Sequence, residues 1–197
     1  MSEIKVDKIS PQSGTALQIG DASDVITIPA SATITNLGTA TGFGGGKIVQ
    51  VVNLQDATTG SGTNVTPSDD TIPQLSETNI FLTGNFTPTS ATNKLLIFAN
   101  LNVVFNFSDS WTIIALFNDD THATNALAVN YISHHSTFRQ QLFMQHYMTS
   151  GFATEMTFKV GAASHGSGTT YYNAHTDGTR KYGGAMYSEM TIMEIEV

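Results

Sequence analysis

Apolar positions follow two different patterns along this chain. From position 4 to 37 they stand alone or in pairs two residues apart: Ile4 and Val6, Ile9, Leu17 and Ile19, Ile26 and Ile28, then Ile34 and Leu37. Turn formers interrupt them at Ser10-Pro11, Ser13-Gly14, Gly20-Asp21, Pro29 and Asn36 to Gly38. A spacing of two is the strand period, but every run is short. Side chains this sparse do not close a core within one chain. They close one if identical chains supply the other walls. The stretch ends in Gly42-Phe43-Gly44-Gly45-Gly46, a backbone with little conformational restraint. The pattern therefore predicts a stalk over 1–41, a glycine hinge over 42–46 and a compact head over 47–197.

Beyond the hinge nearly every apolar run has strand character. Runs at 47–54, 80–86, 94–107, 111–117, 127–132, 139–148, 155–160, 171–173 and 190–197 are rich in β-branched and aromatic residues. Within them Val103, Phe105 and Phe107 share one face, opposite Asn102, Asn106 and Ser108, while Met156, Phe158 and Val160, and Met193, Ile195 and Val197, alternate with polar neighbours. Polar, turn-forming segments separate the runs. Residues 56–70 read as a loop that does not pack, and Asn118-Asp119-Asp120-Thr121 reads as a turn. Only 139–147 offers helical spacing, over a single turn. Eight or nine strands in about 150 residues predict an all-β head, an antiparallel two-sheet sandwich with a jelly roll as its leading topology. The apolar final strand predicts a carboxyl end fixed in a sheet.

Composition sharpens this. Charged residues make up only 12% of the 197, about half the usual share, so uncharged polar groups carry solubility. The net charge of -8 divides into -2 for residues 1–46 (two Lys, four acids) and -6 for the rest (six basic, twelve acidic). No stretch concentrates Lys or Arg, which argues against nucleic acid and anionic membranes as partners. There is no cysteine, so neither disulfides nor a thiolate zinc site is expected. The opening Met1-Ser2-Glu3 lacks the basic start and apolar run of a signal peptide, and no apolar stretch is long enough to span a bilayer.

Candidate chemistry is thin. Of the histidines, His134 and His135 are adjacent and face opposite sides of a strand. The others, His122, His146, His165 and His175, show no paired ligand spacing. Three copies of one histidine around a symmetry axis are the remaining route to an ion site. Asp69-Asp70 and Asp119-Asp120 sit beside turn residues and lack a calcium-loop pattern. No nucleophile elbow and no phosphate-loop lysine are present. No enzyme, metal or cofactor is expected. Tyr171, Tyr172, Asn173, His175, Tyr182 and Tyr187 form the mixture suited to stacking on sugars and bonding their hydroxyls, and equally to packing within the sandwich. Trp111, in an apolar strand, is expected in the core.

The opening Ile4 to Gly14, followed by Leu17-Gln18-Ile19-Gly20 and Ile26-Thr27-Ile28-Pro29, resembles the start of tail-fibre-like proteins of bacteriophages, marine ones especially. The head, with Gly46 to Gln50, Phe86 to Ser90, Lys94 to Ile97 and Thr191 to Ile195, is similar to the jelly-roll tips of such fibres and to the trimeric tumour necrosis factor-like fold. The resemblance implies a homotrimer on the virion surface, its amino end docked to tail or capsid proteins through the stalk residues Ile4, Val6, Ile9, Leu17, Ile19, Ile26, Ile28, Ile34 and Leu37. Two partners are open to the faces Val103/Phe105/Phe107 and Met193/Ile195/Val197, namely the opposite sheet or a neighbouring subunit of the trimer. The expected role is attachment to a host-surface glycan or protein, with a purely structural tail or capsid fibre as the alternative. A cytokine-like signalling trimer is disfavoured by the opening residues.

Overall fold

Ten strands form where side chains alternate between core and surface in the computed structural model, which describes residues 9–10, 13–14, 19, 21, 23, 25, 27, 29, 31–33, 35, 47–107, 110–119, 124–134 and 139–197. The chain divides into two compact units, Met1–Phe43 and Gly44–Val197. In the first, no described residue belongs to a strand, and Ile9, Ile19 and Val25 are exposed. Ser23 and Ser31 hold positive φ angles of 79° and 74°, and the Ala32 amide donates to the Pro29 carbonyl at 3.1 Å, closing a turn. The expected stalk contacts Ile4, Val6, Leu17, Ile26, Ile28, Ile34 and Leu37, and the joint 42–46, lie outside the described residues.

The second unit carries β1 (Ile48–Asp56), β2 (Gly60–Gly62), β3 (Asn79–Phe86), β4 (Lys94–Phe105), β5 (Ser110–Asn118), β6 (Ala128–His134), β7 (Gln140–Thr149), β8 (Met156–Ser164), β9 (Thr170–Tyr172) and β10 (Ser188–Ile195). One sheet runs β1-β10-β4-β9-β2 with β7 on the other edge of β4, and the second runs β3-β8-β5-β6. All these strand pairs are antiparallel. With the two three-residue strands set aside, the remaining eight, numbered in chain order, lie 1-8-3-6 in one sheet and 2-7-4-5 in the other. That order is a jelly roll, two interlocked Greek keys. The fold is all-β, and the only helical turns among the described residues are the 3-10 turns Leu75–Glu77 and Tyr182–Gly184.

The main core lies between the sheets. Leu95, Ile97, Ala99 and Leu101 of β4 meet Met156, Phe158 and Val160 of β8 and Ile114 and Leu116 of β5. Val103 and Phe105, considered for a subunit interface, are 2% and 3% exposed and belong to the chain's own interior. They take the opposite sheet as partner because β4 enters the sandwich at its middle, flanked by strands on both edges. β4 stops at Phe105, so Phe107 is exposed in the turn that follows. At the other end β10 stops at Ile195; the Glu196 amide reaches the Lys47 carbonyl at 2.8 Å, and Val197 is exposed.

Two local features depart from the sequence pattern. The polar stretch after β1 is not all loop, because Gly60, Ser61 and Gly62 pair with Tyr172, Tyr171 and Thr170. A side chain on Gly62 would collide with Asn79, so glycine there allows β3 to approach. The second feature is a bulge in β3. Ile80 pairs with Gly161 and Leu82 with Val160, leaving Phe81 as the extra residue. The bulge re-aims Phe81 so that its ring stacks on Tyr172 with centroids 4.9 Å apart and planes 4° apart.

Candidate functional site

The outward face of the larger sheet is the first candidate surface. Its registers align Val51 of β1, Met193 of β10, Leu96 of β4 and Tyr147 of β7 in one row across four strands. Phe98 lies in the next row of β4, and its ring stacks on Phe143 of β7 at 6.1 Å. On the other side Ile48 is opposite Ile195. Val51, Tyr147, Phe143 and Ile48 are half-exposed or more, so an apolar band crosses a sheet face left open among the described residues. A polar flank adjoins it, where Asn53 donates to the Thr191 hydroxyl at 2.7 Å and Gln55 to the Glu189 carboxylate at 3.3 Å. Met193 and Ile195 were expected at such a surface. Val51, Leu96, Phe98, Phe143 and Tyr147 were not. Their signal is β4 itself, which is apolar on both faces from 95 to 99, the pattern of a strand covered on two sides.

The tyrosine-rich segment is split by the fold. Tyr172 is 1% exposed, and burial, then the charge of Asp56, pushes its hydroxyl pKa up. Asn173 is equally buried. Its backbone is left-handed (φ 50°), its amide donates to the Asp56 and Thr58 carbonyls at 2.8 and 3.1 Å, and its oxygen accepts from the Ser188 hydroxyl at 2.8 Å. Both are therefore structural, and neither is available to a receptor. The reason is alternation: β9 pairs with β4 and β2 at once, so Tyr172 is driven inward while Tyr171 turns out.

Tyr171, His175 and Tyr182 remain accessible. The turn after Asn173 is set by Asp177, whose Oδ1 accepts from the Thr179 hydroxyl at 2.6 Å and its amide at 2.9 Å. Those bonds hold the Asp177 pKa down to about 2. His175 Nδ1 stands 3.4 Å from the same oxygen. Tyr182 is 76% exposed, and the Arg139 guanidinium sits over its ring at 5.6 Å.

Among the described residues no three His, Asp or Glu side chains converge on a metal position. His122 and His135 lie outside the described residues. His165 stacks on Trp111. Asp69 accepts from the Thr71 amide at 2.9 Å and hydroxyl at 2.5 Å, and Asp119 pairs with Lys159 at 2.5 Å, so both are engaged in turn and sheet contacts. Trp111, expected in the core, borders the surface at 37% exposure, because it lies on the outward face of β5 beyond the small cluster that covers Ile113 and Ala115. No helix among the described residues is long and apolar enough to cross a membrane.

No family model matches the chain, and no curated protein does. Among solved structures the chain is similar to the Eiger TNF of S. frugiperda, at 9% identity and a TM-score of 0.39, over 75% of this chain and 92% of that one. It is also similar to the protein of T=1 particles derived from infectious bursal virus, at 13% identity and a TM-score of 0.38, over 75% of this chain and 36% of that one. A third is the enzymatically active domain of tailspike protein 4 from bacteriophage CBA120, at 13% identity and a TM-score of 0.27, over 66% and 19% of the two chains. The jelly-roll assignment stands on strand order and register.

Proposed function

We propose that the protein is a non-enzymatic fibre component of a bacteriophage particle. Three copies associate through the outward face of the larger sheet, the stalk docks to the particle, and the head is exposed for attachment to the host surface. The observation that carries this reading is the row Val51–Met193–Leu96–Tyr147. A monomer gains nothing from presenting aligned apolar side chains to water, and burying them against a second copy is favourable in proportion to their area. The sparse apolar residues of 4–37 fit the same logic, since each needs walls supplied by another chain. The trimeric number comes from the fibre resemblance.

Sedimentation velocity tests the association. A mass three times the 21.1 kDa of one chain is expected, and a mass of one chain at micromolar concentration removes the proposal. Attachment is tested separately by adding purified protein to host cells. Saturable adsorption that blocks infection supports it. A trimer that neither adsorbs nor competes is a structural tail or capsid fibre instead.

A further inference from the structure

The segment between β2 and β3 forms a strap across the outward face of the smaller sheet. It is fixed at one end where Val65 bridges Ser164 and the Thr66 amide donates to the Ser164 carbonyl at 3.1 Å. At the other end the Leu75 amide reaches the Thr124 carbonyl at 2.7 Å, and the Gln74 side chain reaches Asn125 at 2.7 Å. Under the strap Ile113, Ala115 and Phe117 form a second small core with Leu75, Ile80 and Ala126. The strap does not cover the whole face. Trp111, Val129 and Tyr131 remain exposed beside it, Tyr131 at 68%. Between them and the stretch 66–73 lies a cleft of about 410 Å³, within the ~300–1,000 Å³ typical of small-molecule sites.

The floor of this cleft is a platform. Ile113 is opposite Tyr131 and Trp111 is opposite Ser133, so the two aromatic residues are diagonal neighbours on one sheet face. The indole is braced from one side by the His165 imidazole, with centroids 4.8 Å apart and planes 20° apart. The His165 amide in turn donates to the Trp111 carbonyl at 3.0 Å. The wall is polar, with Ser68 and Asp69 among its residues. Asp69 Oδ1 is occupied by Thr71, and among the described residues Oδ2 accepts no hydrogen bond. Among the described residues no Lys or Arg lines the cleft.

We infer that this cleft binds a neutral saccharide, one pyranose ring lying on Trp111 and Tyr131 with its hydroxyls donating to Asp69. The inference rests on the attachment reading and names the chemistry through which the head would attach. A purely apolar ligand would desolvate the Asp69 carboxylate without pairing it. An anionic sugar or phosphate would meet that carboxylate with no cation to offset it. A compact cation would be held best by rings enclosing it from several sides, whereas these two residues stand side by side on one sheet face. A pyranose has the required duality, an apolar C–H face and a hydroxylated edge.

Trp111 is the chain's only tryptophan, so its fluorescence reports on the cleft directly. Full-length protein is titrated with methyl glycosides of glucose, galactose and N-acetylglucosamine, with N-acetylneuraminic acid and choline as anionic and cationic comparators. A saturable change with a neutral glycoside is expected. Tyr131→Ala should weaken it about tenfold, the equivalent of one stacking contact, with unchanged circular dichroism. Asp69→Asn should weaken it several-fold. Trp111→Phe, followed by saturation-transfer NMR because it removes the only tryptophan, should also weaken binding. Absence of saturation with all three glycosides, preference for choline, or indifference to Tyr131→Ala overturns the proposal. Cell adsorption separates the two levels. Adsorption that survives Tyr131→Ala leaves attachment standing and removes the cleft, while glycoside binding without adsorption does the reverse.

Discussion

Asn93 donates its side-chain amide to Glu194 Oε1 at 2.7 Å, and neither side chain is open to solvent. The same carboxylate accepts from the Thr89 amide and hydroxyl, each at 2.8 Å, and from Gln50 at 2.6 Å. A buried charge persists when its lone pairs are filled, and here they are filled by the turn between β3 and β4 together with Gln50 of β1. Glu194 thus pins a sheet-to-sheet crossover to β10. Asn93→Ala should cost about 1–3 kcal/mol, the penalty for leaving a buried acceptor short of a donor. Urea denaturation measures this, and a loss below about half a kcal/mol would mean the pin is redundant.

Acid should release the same pin. Burial works against the charged form of Glu194, but the bonds from Asn93, Gln50 and Thr89 outweigh it, so its pKa lies below the ordinary 4.5. Its contribution is therefore complete above pH 4.5 and is lost as pH falls through the lower folded value. His146 of β7 adds a window at higher pH. Burial depresses its pKa below 6.5, so the folded state favours the neutral ring and stability declines as pH drops below 6.5. In pH-dependent chemical denaturation, Glu194→Gln should flatten the acid limb and His146→Leu the limb just below neutrality.

The tyrosines should separate cleanly by substitution. Tyr172→Ala removes a fully buried ring stacked on Phe81 and should cost about 3–5 kcal/mol. Tyr182→Ala, on an exposed ring, should stay within about 0.5 kcal/mol. A receptor test built on Tyr172 would report unfolding. Tyr171, His175 and Tyr182 are the positions to vary, with thermal denaturation as the control.

The strands were legible because their periodicity is local. β8 announces itself through alternation from Met156 to Val160, β5 through its continuous apolar run from Ile113 to Phe117, and β10 alternates between buried and partly exposed positions along its whole length. What was not legible depends on pairing. Whether Val103 and Phe105 face a subunit or their own sandwich is decided by β4 lying between β10, β9 and β7. Gly60–Gly62 carries no strand signal of its own and becomes one only because β9 passes beside it. Trp111 sits on the same face as the buried Ile113, and the sequence alone does not show where the strap over that face stops.

Gly161 gives a test of close approach between strands. A methyl group there would lie 2.8 Å from the Asn79 carbonyl and 2.9 Å from the Ile80 side chain. Backbone is the rigid obstacle, and Gly161 faces the β3 bulge that aims Phe81. Gly161→Ala should cost about 1–3 kcal/mol through overpacking. Loss of the near-ultraviolet dichroism of the Phe81–Tyr172 stack would accompany it if the bulge moves.

Leu96 is the position from which to test the outward sheet face. It sits between Met193 and Tyr147 in the apolar row and is partly exposed in the single chain. A carboxylate there stays near water in a monomer and loses its hydration in an assembly that covers the row. Leu96→Glu should therefore leave the circular dichroism of the full-length chain nearly unchanged while lowering its sedimenting mass toward the 21.1 kDa of one chain. Gln145→Glu on β7, the strand of Tyr147, lies in the neighbouring row with Asn53, Thr191 and Phe98; as a polar position already, it is the matched control and should perturb the mass less. If Leu96→Glu keeps the full assembly mass, the subunits meet through another surface, and the alignment of Val51, Met193, Leu96 and Tyr147 has some other partner.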